Sequence, residues 1–224
     1  MGSDDLFKKR KERKKEELKR KGSKRKPYER VLIVSEGSKT EPNYFLGAKN
    51  HFKIDSANIH IDKTSESSPK SIVQCAIKLF NQEKDINPYD KVLCVFDRDT
   101  HESFDEAILT ISNKNKSLKK DVFLAITTNP AFEFWLLLHY VYTTKSYHPL
   151  PGKSVGKQVE DDLKVYLPDY KKTDPDIFEK HLDMLEGALK VAKSVNRSTD
   201  NGNPSTKMDV AINYLKNIKE IQPA

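Results

Sequence analysis

Two short apolar runs in this chain each end in acid. Val31-Leu32-Ile33-Val34-Ser35 stops at Glu36-Gly37, and Val92-Leu93-Cys94-Val95-Phe96 stops at Asp97-Arg98-Asp99. Runs of this length, apolar at nearly every position, predict strands covered on both faces, as in a parallel sheet. Asn58 to Asp62 alternates polar and apolar residues and predicts a short strand, and Val122 to Thr127 predicts another, ending before Asn129-Pro130. Helical patterns lie between them. Thr40-Glu41-Pro42 offers a capping threonine and a first-turn proline ahead of Tyr44, Phe45 and Ala48. Ser68-Pro69 opens a helix whose Ile72, Val73, Ala76, Ile77 and Phe80 share one face. Ser103 and Glu106 have capping-box spacing before Ala107, Ile108 and Ile111. Residues 30–128 thus alternate strand and helix through four strands, which predicts an α/β fold with a mostly parallel sheet flanked by helices.

Beyond Pro130 the pattern turns helical. Helices are predicted over Ala131 to Tyr142, over 153–167 and 176–195, and from Asn203-Pro204-Ser205-Thr206 onward. In the last, Thr206 and Asp209 have capping-box spacing, and Met208, Ala211, Ile212, Leu215 and Ile218 form the apolar stripe. Residues 143–152 carry prolines and polar residues and read as a loop. The organisation expected is a basic arm over 1–29, an α/β core over 30–142 and a helical C-terminal portion over 143–224.

Composition changes this picture in one respect. The net charge of +7 suggests nucleic acid, but it is unevenly placed. Residues 1–30 hold 14 basic and 6 acidic side chains, whereas the rest of the chain holds 26 basic and 27 acidic ones. The basicity therefore belongs to the arm, where Lys24, Arg25 and Lys26 are candidates for salt-sensitive phosphate contacts, a solubilising tail being the plainer alternative. No apolar run approaches the roughly 20 residues that span a bilayer, and the basic start does not read as a secretory signal. Cys75 and Cys94 sit in apolar contexts without a CxxC spacing and read as free thiols of a cytoplasmic protein.

The candidate chemistry lies at the strand ends, since open α/β sheets bind ligands beyond the carboxyl ends of their strands. Asp97 and Asp99, two apart on extended backbone, point to the same side, and Glu36 joins them if the strands are neighbours. Three hard oxygen ligands suggest magnesium, and magnesium suggests phosphate chemistry. Gly37 lets the backbone turn sharply after Glu36. Gly37-Ser38-Lys39-Thr40 fails the Walker pattern, which needs glycine directly before the lysine, so ATP hydrolysis by this segment is rejected. Lys39 and Arg98 remain candidates to steady a phosphate's charge. His101, Glu133 and His139 are candidates to support the site from nearby. Glu133 and His139 are about 120° from a common helix face, which argues against a joint metal site between them.

The ordered set 31–45 (VLIVSEGSKTEPNYF), 95–99 (VFDRD), 129–139 (NPAFEFWLLLH) and 203–206 (NPST) resembles the motifs of the RloB-like family over about residues 30–218. That resemblance implies a core like the Toprim fold, in which a glutamate after the first strand and a DxD after a later one hold magnesium; these map onto Glu36, Asp97 and Asp99. It also implies a place in bacterial restriction or anti-phage loci, beside a partner ATPase. The expectation is a Mg2+-dependent (or Mn2+-dependent) nuclease acting on DNA or RNA, with a homo-oligomer compatible with the sequence. The alternative is a regulatory or scaffold subunit of a defence complex that binds nucleotide or nucleic acid without chemistry.

Overall fold

A computed structural model describes residues 27–62, 68–98 and 103–222. The basic arm with Lys24, Arg25 and Lys26, and also Asp99 and His101, lie outside the described residues. Five strands form one sheet: β1 (Val31–Ser35), β2 (Ile59–Asp62), β3 (Lys91–Asp97), β4 (Phe123–Asn129) and β5 (Ser205–Thr206). Their order is β2-β1-β3-β4-β5; the first four run parallel and β5 is antiparallel to β4. The four strands legible in the hydrophobic pattern are present. The fifth has two residues, too few to carry a periodicity.

The helices are α1 (Thr40–His51), α2 (Pro69–Glu83), α3 (Phe104–Leu118), α4 (Glu133–Leu137), α5 (Val155–Tyr166), α6 (Leu185–Ser198) and α7 (Met208–Asn217). Strand alternation sorts the core into two layers. Leu32, Val34, Val92, Cys94 and Phe96 pack with Ile72, Val73, Ala76 and Phe80 of α2 and Ala107 and Ile111 of α3. Val31, Ile33, Leu93 and Val95 face the other way, onto Tyr44, Phe45 and Ala48 of α1 and onto the apolar stripes of α5, α6 and α7. The C-terminal helices therefore bury their stripes against the sheet itself. Among the described residues no helix is long and apolar enough to cross a membrane. Both cysteines are free, Cys94 buried and Cys75 half-buried.

Several expected caps are rearranged. Ser68 makes its capping interaction as expected, accepting from the Ser71 backbone N–H at 3.2 Å. Thr40 does not cap α1; its hydroxyl donates to the Lys172 carbonyl at 2.8 Å, tying the helix start to a segment far away in sequence. Ser103 makes no cap bond, and Glu106 pairs instead with Lys70 at 2.8 Å. The helix predicted from Ala131 to Tyr142 shrinks to the single turn or so of α4, continued by tight turns to Val141. Residues 131–139 are all buried, so this segment is held by its surroundings rather than by an amphipathic face. The helix predicted over 176–195 is divided into a 3-10 segment, Glu179–Met184, and α6. Thr206 lies in β5, and its hydroxyl accepts from the Met208 N–H at 3.2 Å at the start of α7.

Candidate functional site

The strand order reverses direction at β1: β2 lies on one side of it and β3 on the other. The crevice beyond the carboxyl ends of β1 and β3 is therefore the topological switch point, where open α/β sheets take their ligands. In the β1–β3 register Ser35 stands opposite Val95, so Glu36 leaves β1 level with Phe96, one residue before Asp97 ends β3. The Glu36 N–H extends the ladder by donating to the Val95 carbonyl at 3.0 Å, and the Asp97 N–H donates to Glu36 Oε2 at 3.3 Å. Gly37 follows with φ +72°, in the left-handed region where a side chain would be strained, and turns the chain into α1.

These elements enclose a cavity of about 300 Å3 with four acids on its wall: Glu36, Glu41, Asp97 and Glu133. Lys39 and Lys172 are its cations. Glu41 comes from the first turn of α1, and Glu133 from the first turn of α4, just after β4. Glu133 is buried, and its Oε1 accepts from the Tyr170 hydroxyl at 3.0 Å and from Lys172 Nζ at 2.9 Å. Lys172 loses hydration there, but the Glu133 carboxylate outweighs this and raises its pKa, so it stays an ammonium.

Burial, reinforced by crowding, sets the protonation of Asp97 and Glu41. Burial, then the charges of Glu41, Glu133 and Glu36, push Asp97 well above the usual carboxylate range, against a hydrogen bond from the Phe132 backbone. Burial likewise pushes Glu41 up to about 8, opposed by its own backbone N–H and reinforced by Glu133 and Glu36. With Asp97 and Glu41 both shifted up, these two acids ionise together readily only when a cation enters with them.

The donor chemistry suits a hard divalent cation. Among the described residues no group of three acidic, histidine or cysteine ligands is drawn around a single point. Magnesium is commonly held by one or two carboxylates with water completing its shell, and Glu36 and Asp97 are the two that could offer them at the strand ends.

The remaining sequence candidates separate. Lys39 lines the acid cavity, with its side chain exposed. Arg98 lies on a different cavity, because the residue after Asp97 faces the other side of the sheet. His139 is not on the acid cavity's wall; it packs on Trp135 at 4.6 Å and on His181 at 4.8 Å between ring centroids, and its Nδ1–H donates to the Trp135 carbonyl. Sequence reasoning missed Glu41, Tyr170 and Lys172. Glu41 carried a faint signal, five residues after Glu36, but it reads equally as an ordinary first-turn acid. Tyr170 and Lys172 carried none, since only the tertiary fold brings them to Glu133.

No curated protein and no solved structure matches the chain. The family model described as RloB-like protein matches residues 31–215, which spans β1 through α7 and every wall of the acid cavity. The chain belongs to the RloB-like family.

Proposed function

We propose that this protein is a Toprim-like, Mg2+- or Mn2+-dependent nuclease that hydrolyses phosphodiesters of DNA or RNA in anti-phage defence, acting with a partner ATPase. The observation that carries the reading is the meeting of Glu36 and Asp97 at the β1–β3 switch point, on a cavity with two further acids. Membership of the RloB-like family supports the defence setting.

Glu36 and Asp97, with Asp99, would hold the cation, which when bound supplies positive charge against the scissile phosphate and a more acidic water. Glu133, fixed by Tyr170, holds Lys172 at the cavity wall, where the ammonium meets developing negative charge without having to reorganise. Lys39, on the exposed lip, is placed to meet an incoming phosphate. Glu41 retains a proton near neutral pH when no cation is present, and it is the wall acid nearest in sequence to Lys39.

The test is a cleavage panel on DNA, total RNA and tRNA with Mg2+ or Mn2+, for the protein alone and with its neighbouring ATPase. Asp97→Asn is expected to lower the cleavage rate on the order of 100-fold or more while the fold persists, in line with losing a preorganised charged group. Absence of divalent-dependent cleavage from every arm of the panel sinks the nuclease reading.

A further inference from the structure

Asp97 and Arg98 are consecutive, yet they serve different cavities. The pleat of β3 sends the Asp97 side chain to the acid cavity and Arg98 to the α3 side of the sheet. There a second cavity of about 250 Å3 opens between the start of α3, the ends of β4 and β5, and the turn after α6. Among the described residues its wall carries two cations, Arg98 and Lys207, and no acid. Neither cation is in an ion pair among the described residues.

The surroundings are built rather than loose. The Arg98 N–H donates to the Thr128 carbonyl at 2.7 Å, and its guanidinium carbon sits 5.1 Å from the centroid of the Phe104 ring. A guanidinium lying on an aromatic face keeps its hydrogen-bonding fork available for two oxygens of one anion. The Lys207 N–H donates to the Thr127 carbonyl at 2.8 Å. Asn196 clasps the Thr206 backbone at both ends, accepting its N–H at 3.0 Å and donating to its carbonyl at 2.7 Å. Two neighbouring strand-end cavities thus differ in their lining: one is rich in acids, and the charged side chains described on the other are both basic.

We propose that the Arg98–Lys207 cavity is a phosphate subsite that grips the nucleic-acid backbone at a phosphodiester other than the scissile one. The substrate class rests on the nuclease reading above; the subsite itself is a matter of binding and is read by binding. Its logic is a division of labour. Among the described residues the acid cavity offers a polyanion only Lys39 and Lys172 beside four acids until a cation enters, so cations outside it add affinity for the strand that the cavity itself lacks.

The experiment measures binding of the full chain to a fluorescent single-stranded DNA and to an RNA of matching sequence, in EDTA, across a salt series. Arg98→Gln/Lys207→Gln is expected to bind on the order of 10-fold more weakly at low salt, with a log–log salt slope shallower by about 1.4, or about 0.7 per lost contact to a single strand. Lys116→Gln/Lys120→Gln removes the same charge at the opposite end of α3 and is expected to change binding less than about twofold. Arg98→Lys, which keeps the charge, is expected to restore most of the slope and guards against a folding defect in the glutamine variant. Equal binding by wild type and the Arg98/Lys207 variant overturns the subsite. So does an equal loss in the Lys116/Lys120 variant, or no binding of either strand by the wild type. If no strand is ever cleaved but the binding difference persists, the nuclease reading fails and the subsite stands. If strands are cleaved but binding is unchanged in the variant, the subsite fails and the nuclease reading stands.

Discussion

Glu41 sits where the crowding of acids becomes a measurable thermodynamic effect. Its carboxyl is raised from 4.5 to about 8, chiefly by burial, so between those values the folded chain keeps a proton that the unfolded chain has released. A folded pKa above the unfolded one gives stability that is complete below pH 4.5 and is lost as pH rises through about 8. The slope is at most about 1.4 kcal/mol per pH unit for one such group. Asp97 is shifted in the same direction and adds to it. In EDTA the melting temperature is therefore expected to fall as pH rises from about 6.5, where the buried histidines no longer titrate, through about 8, and Glu41→Gln is expected to flatten the fall. Added Mg2+ is expected to raise the melting temperature most at the alkaline end, since the cation favours the charged carboxylates. A melting temperature in EDTA that is level between about pH 6.5 and 8 contradicts a raised Glu41. Glu36 and Asp97 were legible in the sequence because each ends an apolar run. Glu41 was not, because nothing in a first-turn glutamate distinguishes a cavity wall from solvent.

At the scale of elements, the position of α1 decides whether Glu41 reaches the cavity at all. Gly47 lies on the face of α1 that meets the 3-10 segment: a Cβ there would stand 2.5 Å from the Cβ of Phe178 and 3.1 Å from the Glu179 carboxylate. The close approach of Phe178 leaves no room for it. Gly47→Ala gains helix propensity but forces α1 outward, and the expected net cost is about 1–3 kcal/mol in urea unfolding, as for an overpacked core. Because the displaced helix carries Glu41, the same variant is expected to weaken the pH dependence above. An alanine variant as stable as wild type shows that α1 can shift freely. The helix itself was legible from Thr40 to Ala48, while the reason for a glycine in its middle was not, since Phe178 is over a hundred residues away. At β3 the local signal was present and the partner was not. Period-two alternation already implied that Asp97 and Arg98 point apart, yet Arg98 was expected to serve the same phosphate as the acids; the structure gives it a basic cavity of its own.

The whole molecule is joined across one face of its sheet. Val31, Ile33, Leu93 and Val95 share a core with α1, the residues around Trp135, and helices α5 to α7. Within it His139 and His181 lie against one another, 4.8 Å between centroids, both buried. Each donates Nδ1–H to a backbone carbonyl, and neither Nε2 has a hydrogen-bond partner. Burial lowers both, His139 to about 3 with His181 as a further cause. The groups facing the pair are Tyr140, which stacks on its edge, and Asp174 and Lys180, which act on His181. A folded pKa below the unfolded 6.5 gives stability that is complete above pH 6.5 and drains away as pH falls toward about 3. His139→Leu is expected to make this acid limb shallower by up to about 1.4 kcal/mol per pH unit, read by chemical denaturation at a series of acidic pH values. An unchanged acid limb contradicts a neutral buried His139.

By itself the sequence determined the strands, most of the helices and the two acids at strand ends. These follow from the local period of apolar residues and from the chain stopping at a polar residue, and both are read within about ten positions. Only the tertiary structure decided that β1 and β3 are neighbours, that α1 and α4 bring Glu41 and Glu133 to the same wall, and that Lys172 answers them. It also separated Arg98 from the acids and paired it with Lys207. The physical reason is common to all of these. Burial, mutual repulsion of carboxylates and the reach of a cation depend on distance through space, and hydrophobic patterning sets which faces are covered but not which distant residues meet on them.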